Sequence, residues 1–339
     1  MLFKNIKNIA VFIIIFTQIF SCTQSNNTDS LKKYFANTDT AKVKTGGIQM
    51  VTIETPKGKF KVWTKRFGNN PTKKVLLLHG GPGGTHEFFE SFESYLPQEG
   101  IEFIYYDQLG SANSDKPTDT SLWNTARFVE EVEQVRIALK LDSANFYLLG
   151  HSWGGILAME YALKYQQNMK GLIVSNMMSS CPAYGAYNKD VLQKQMDKKE
   201  VDSILNFEKT NTVSDPKYMD LLMRSYYSQH VCRVYPFPEP INRAFAHMNG
   251  IVYTLMQGPS EFGIAGSLAL WDRTNDLPKI KIPTLVIRGM YDTMDPAFME
   301  MMSKKFPNGS LVTCTNGSHC SMWDDQENYF KGLISFLKK

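Results

Sequence analysis

A chain of 339 residues is long enough to bury a sizeable core, and 43% hydrophobic against 21% charged residues is the balance of a globular protein, which excludes disorder as its default state. The 37 basic and 33 acidic residues leave a net charge of only +4. The lysines are mixed with acids, as between Lys189 and Glu200, so no basic stripe marks a nucleic-acid surface and nucleic acid is not an expected partner.

At the N-terminus, Lys4 and Lys7 precede an apolar run from Ile9 to Phe20, the layout of a secretory signal. The run is too short to span a bilayer comfortably. Its end, Ile19-Phe20-Ser21-Cys22, resembles a bacterial lipobox, although Phe20 is bulkier than the residue usual there. Residues 1–22 are therefore expected to be a lipoprotein-type signal peptide with Cys22 as the lipidated residue. The exported chain would be held to a membrane by that lipid on its periplasmic or cell-surface side. An ordinary secreted protein and an N-terminal anchor helix are the alternatives. Residues 23–45, rich in Ser, Asn, Gln and Thr, read as a polar tether. Cys181, Cys232, Cys314 and Cys320 would then reach an oxidising compartment, as disulfides or as buried free thiols, and sequence does not determine their pairing. They form no Cys-x-x-Cys pair and adjoin no histidine cluster, so no metal is expected.

From Gly46 to Phe67 apolar and polar residues alternate on either side of Pro56-Lys57-Gly58-Lys59, which predicts a hairpin. Continuous apolar runs follow at Val75 to Leu78, Ile101 to Tyr106, Phe146 to Leu149, Leu172 to Val174 and Thr284 to Ile287. Such runs are what parallel strands covered on both faces look like. A helical pattern, Thr125 to Leu139, carries Phe128, Val132, Val135 and Leu139 on one face. Alternating strands and helices indicate an α/β fold with a mostly parallel central sheet. The rhythm stops between Ser179 and Asn275, where helical segments rich in Lys, Met and Tyr surround Pro236-Phe237-Pro238-Glu239-Pro240. The expected organisation is thus a core in two parts, 46–178 and 276–339, with a helical lid inserted at 179–275.

The strongest chemical signal is Gly150-His151-Ser152-Trp153-Gly154, placed between the apolar run at Phe146 and a helical stretch from Ile156 to Tyr165. A nucleophile on a tight strand-to-helix turn brings backbone so close that Gly150 and Gly154 must lack side chains, and the turn lifts the hydroxyl above the sheet. Ser152 is therefore the candidate nucleophile of an α/β-hydrolase fold. A serine hydroxyl needs a base oriented by a carboxylate, in the chain order Ser, Asp, His. Among six histidines, His79 and His86 belong to upstream loops, His151 adjoins the nucleophile, and His230 and His247 lie in the lid. His319, in Asn316-Gly317-Ser318-His319, follows a late strand and is the candidate base. Asp292, in Gly289-Met290-Tyr291-Asp292 after the Thr284 run, is the candidate acid, with Asp295 as a nearby competitor. Backbone N–H donors aimed at the oxyanion supply roughly 3 kcal/mol each. Trp153 should provide one, and Gly81, in His79-Gly80-Gly81-Pro82-Gly83-Gly84, the other. A phosphate loop is the competing reading of those glycines, but no Gly-Lys-Ser/Thr follows.

His79-Gly-Gly-Pro-Gly83, Tyr106-Asp-Gln-Leu-Gly110 with Ser114, Gly150-His-Ser-Trp-Gly-Gly155, Gly289-Met-Tyr-Asp292 and Gly317-Ser-His319 together resemble the proline iminopeptidase (prolyl aminopeptidase) family of α/β-hydrolases. The resemblance runs from about Gly46 to the C-terminus. One departure is Ala112, where a second glycine is usual after Asp107. The segment Gly258-Pro259-Ser260-Glu261-Phe262 is similar to one whose glutamate, in members of the family, binds the α-amino group of the substrate; the resemblance assigns that role to Glu261. A second acid often follows the catalytic aspartate in the family; here that position is Thr293, and Asp295 is the candidate substitute. The resemblance implies a serine aminopeptidase, free of cofactors, that releases N-terminal residues, proline among them, from short peptides with a free N-terminus. An esterase or amidase acting on small acyl substrates, and a non-catalytic peptide-binding lipoprotein, are the alternatives. Ser152 stands where dehalogenases and epoxide hydrolases of this fold need aspartate, which argues against both.

Overall fold

The alternation around Pro56 to Lys59 folds as an antiparallel hairpin of β1 (Ile48–Thr55) and β2 (Gly58–Phe67). The structure, a computed structural model, describes residues 47–339, so the expected signal peptide, the tether and Cys22 lie outside the described residues. The apolar runs become β3 (Lys74–Leu78), β4 (Glu102–Asp107), β5 (Phe146–His151), β6 (Gly171–Ser175) and β7 (Thr284–Gly289), and β8 (Gly309–Cys314) closes the sheet. The strand order is β1-β2-β4-β3-β5-β6-β7-β8. Pairing is antiparallel from β1 through β2 to β4 and parallel across the rest.

The central strands carry no polar alternation because both of their faces are covered. Leu76, Leu78, Leu148 and Val174 pack on one side with Phe128, Val132 and Val135 of α1 (Thr125–Ala138) and Ile156 of α2 (Trp153–Tyr165). Val75, Leu77, Leu149 and Ile173 point the other way, as the two-residue period of a strand requires, and meet Phe89, Phe92, Tyr329, Phe330 and Leu333. Each fully buried side chain of this size contributes about 1.5–3 kcal/mol of transfer free energy. The Asn124 side chain caps α1 by accepting from the Arg127 N–H at 3.0 Å.

Between β6 and β7 the chain forms α3 (Cys181–Tyr187), α4 (Lys198–Lys209), α5 (Pro216–Leu222), α6 (Glu239–Ala246) and α7 (Gly250–Met256). After β7 come α8 (Pro296–Lys305) and α9 (Gln326–Leu337). The inserted helices are tied to the core at the end of the sheet where Ser152 sits. Arg243 of α6 donates to Glu90 at 2.8 and 2.9 Å and to Glu87 at 3.0 Å. The Asn249 N–H donates to the Gly83 carbonyl at 2.8 Å, and the N–H groups of His319 and Cys320 donate to the carbonyls of His230 and Val231 at 2.9 and 2.8 Å. Cys181, Cys232, Cys314 and Cys320 are free, buried thiols. Among the described residues no helix is long and apolar enough to cross a membrane.

Candidate active site

Ser152 occupies the junction of β5 and α2 with φ 55° and ψ −128°, a backbone conformation that costs a non-glycine residue about 1–3 kcal/mol. The surroundings hold it there. Its N–H donates to the Ser175 carbonyl at 3.1 Å. A Cβ on Gly150 would lie 1.9 Å from the Gly154 carbonyl oxygen, and one on Gly154 would lie 2.0 Å from that of Leu78, so the turn closes only with glycine at both positions.

The loop after β3 passes directly over this turn: a Cβ on Gly80 would come within 2.9 Å of Ser152 Cβ. Gln108, from the Tyr106-Asp-Gln-Leu-Gly110 motif, fastens the two. Its backbone N–H donates to His79 Nε2 at 3.1 Å and its side-chain amide donates to the His79 carbonyl at 3.1 Å. Its Oε1 accepts from the Trp153 indole N–H at 2.9 Å. His79 Nδ1–H donates to the Gly80 carbonyl at 2.9 Å. An imidazole that accepts at one nitrogen and donates at the other must be neutral, and burial pushes the pKa of His79 down to about 4. Gly81 thus borders Ser152 in one pocket, while Trp153 opens α2. The first N–H groups of a helix have no helical partners and form its positive end. Asp107 of the same motif is buried, accepts from the His86 N–H at 3.0 Å and from Asn113 at 3.0 and 3.2 Å, and meets His86 Nδ1 at 2.8 Å, contacts that tie the loops together. Ala112, where glycine is usual, takes φ 27°.

Asp292 and His319 are brought together by the adjacent ends of β7 and β8. His319 Nδ1 donates to Asp292 Oδ1 at 2.8 Å, which leaves Nε2 at the far side of a ring that borders the pocket shared with Ser152. Burial works against the imidazolium, but the charge and hydrogen bond of Asp292, with smaller contributions from Glu261 and Asp324, outweigh it and raise the pKa of His319 above the ordinary range. Asp292 Oδ1 also accepts from the Met294 N–H at 3.1 Å and the Thr293 hydroxyl at 3.3 Å.

The empty space of this pocket, open solvent at its mouth included, is about 340 Å³. Its walls are apolar at Phe88, Val231, Phe245, Met248 and Cys320, and His151 completes them. His151 is neutral, since burial first and the neighbouring His319 second hold its pKa well below the ordinary value. Among the described residues lining the pocket, Glu261 alone carries a carboxylate. Three phenols hold it. Tyr253 OH donates to Oε1 at 2.7 Å, Tyr184 OH to the Glu261 carbonyl at 2.8 Å and to Oε2 at 3.3 Å, and Tyr227 OH accepts from the Glu261 N–H at 3.1 Å. Burial first, then the charge of Glu261, raises the pKa values of Tyr184, Tyr227 and Tyr253, which keeps them protonated.

The structure therefore gathers Ser152, His319, Asp292, Gly81, Trp153 and Glu261 at one end of the sheet. Asp295 is not among the residues bordering the pocket; its carboxylate caps α8 by accepting from the Ala297 N–H at 2.9 Å. Sequence reasoning did not find Tyr184, Tyr227 and Tyr253, which reach Glu261 from 77, 34 and 8 positions away and belong to no local motif. Nor did it find Asn176, whose carboxamide touches Asp292.

Comparison with known proteins bears on the fold and the family. A family model described as the alpha/beta hydrolase fold matches residues 73–326. The proline iminopeptidase of Flavobacterium johnsoniae is 58% identical over 288 residues, covering 85% of this chain and 97% of that protein. The proline iminopeptidase of Elizabethkingia meningoseptica is 56% identical over 291 residues, 85% of this chain and 97% of its own. Among solved structures, the proline iminopeptidase of Mycobacterium smegmatis superposes with a TM-score of 0.76 at 27% identity, covering 86% of this chain and 98% of that one. The chain belongs to the proline iminopeptidase family of α/β-hydrolases.

Proposed function

We propose that this protein is a serine aminopeptidase that releases N-terminal residues, proline among them, from short peptides, with Ser152, His319 and Asp292 as its catalytic triad. The observation that carries the reading is Glu261: a carboxylate facing the same small pocket as the nucleophile and the base suits a substrate whose cation lies a fixed distance from its scissile carbonyl. His319 takes the Ser152 proton as the hydroxyl adds to the carbonyl, and Asp292 holds the imidazole in the Nδ1–H tautomer. The backbone N–H groups of Gly81 and Trp153 receive the oxyanion. His319 returns the proton to the leaving amine, which departs and leaves the aminoacyl group on Ser152. Water then attacks with His319 again as base and frees the amino acid. The apolar walls receive the side chain or pyrrolidine ring of the first residue, and Glu261 receives its ammonium.

The test is a panel of aminoacyl arylamides with free and blocked amines, assayed on the wild type and on Ser152→Ala and combined with labelling by a serine-directed phosphonate. Cleavage of the free-amine compounds, with labelling and turnover both lost in Ser152→Ala, is expected. Equal turnover of blocked and free compounds would favour an esterase or amidase, and near-wild-type turnover by Ser152→Ala would refute the triad, since the remaining donors give only residual catalysis.

The N-terminal residues support a second proposal, that the mature chain begins at Cys22, carries a lipid there and faces the periplasm or cell surface. Its support is the run of Lys4, Lys7, the apolar stretch and Ser21-Cys22.

A further inference from the structure

Asn176 follows β6 in the left-handed region, with φ 51°, and is completely buried. Asparagine tolerates that conformation better than most residues. Its backbone N–H donates to the Ile287 carbonyl at 2.8 Å, which fastens it to β7. Its carboxamide lies where the elements carrying acid and base converge. Nδ2 donates to Asp292 Oδ2 at 2.8 Å, to the Ser318 carbonyl at 3.0 Å and to Ser321 Oγ at 3.0 Å. Oδ1 accepts from Ser175 Oγ at 3.0 Å. The chemistry of these partners determines which way the amide points: a carboxylate and a carbonyl only accept, so the NH2 group must face them.

Asp292 Oδ1 is occupied by His319, Thr293 and the Met294 N–H, and Oδ2 is the oxygen that Asn176 holds. Ser318 directly precedes His319. One amide therefore contacts both the acid and the loop that carries the base, while the neighbouring Ser175 carbonyl accepts from the nucleophile's N–H.

Resting on the triad reading above, we infer that Asn176 is a positioning residue of the catalytic apparatus, coupling the Asp292 carboxylate to the His319 loop through its side-chain amide. Removal of a neutral donor from Oδ2 leaves the carboxylate charge less stabilised, so it attracts the imidazolium more strongly. His319 should then hold its proton to higher pH as well as lose alignment.

The test compares Asn176→Gly, which keeps the left-handed backbone without the amide, and Asn176→Asp, which keeps the shape but sets a second acid against Asp292. Michaelis parameters for a prolyl arylamide are measured from pH 5 to 9 beside the wild type and Ser152→Ala, with thermal unfolding as the control for folding. For folded variants we expect kcat to fall about 10- to 100-fold, the effect of one lost hydrogen bond to a charged group. KM should change less than about threefold, because the amide lies away from the pocket walls, and the acid limb of kcat/KM should move to higher pH in both variants. Folded variants with kcat within threefold of wild type, or with lowered stability and an unmoved acid limb, would make Asn176 a packing residue only and overturn the inference. Turnover that survives Ser152→Ala would instead remove the triad, and this inference with it, so the two failures are distinguishable.

Discussion

Replacement of Glu261 by glutamine removes a charge and almost nothing else, since the amide oxygen still accepts from Tyr253 and the phenol can accept from the new NH2 group. In the wild type the carboxylate receives hydrogen bonds at 2.7 and 3.3 Å from Tyr253 and Tyr184, which steady it without neutralising it. An ammonium about 4 Å away at an effective dielectric near 20 is attracted by about 4 kcal/mol. Partial offset by desolvation leaves about 2–4 kcal/mol, or roughly a 30- to 900-fold loss in kcat/KM for free-amine substrates. N-blocked analogues have no cation to lose and should change little from their already low rates. The assay is a pair of prolyl arylamides, free and blocked, run on Glu261→Gln and on Asp295→Asn. Asp295 caps α8 through the Ala297 N–H, so its variant should affect both substrates alike. If Glu261→Gln slows the free and blocked compounds by the same factor, or slows neither, Glu261 is not the amine anchor. A selective effect of Asp295→Asn on free amines would place a second carboxylate at the amine after all.

The raised pKa of His319 predicts a pH profile: the base works as neutral imidazole, so activity falls as pH drops through that pKa, and the acid limb of kcat/KM should lie above the ordinary imidazole value of about 6.5. A limb at or below that value would contradict the dominance of Asp292 over burial. Cys22→Ala should release the protein from membranes, with fractionation and mass spectrometry of the mature N-terminus as the measurement; a mature N-terminus elsewhere, or a Cys22 without lipid, would refute the anchor.

What was legible in the sequence was whatever a local pattern carries by itself. The runs Val75 to Leu78 and Phe146 to Leu149 read as buried strands because both faces of β3 and β5 meet apolar side chains. Gly150 and Gly154 read as a nucleophile turn because contacts of 1.9 and 2.0 Å tolerate no other residue. Asp295 carries its own local signal for a cap, an acid directly before Pro296, which is how a helix often starts. Asn176 and the tyrosines around Glu261 gave no signal, because their roles exist only after β6, β7 and the inserted helices have converged.

Thr293 joins these two kinds of residue. In the family a second acid is often found at this position, but here the side chain is a hydroxyl, buried and turned toward the triad, 3.3 Å from Asp292 Oδ1 and 3.5 Å from His319 Nδ1. Its carbonyl accepts from Asn188 at 3.2 Å, an amide in turn engaged by Tyr226 OH. In this chain the position therefore supports the acid and base. If Glu261 receives the substrate cation as proposed, it is the one carboxylate among the described residues lining the pocket, and discrimination among N-terminal residues would fall to the apolar walls at Phe88, Val231, Phe245 and Met248. A pocket that recognises charge once and shape on several sides should rank free-amine substrates by the fit of the first residue rather than by the basicity of its amine.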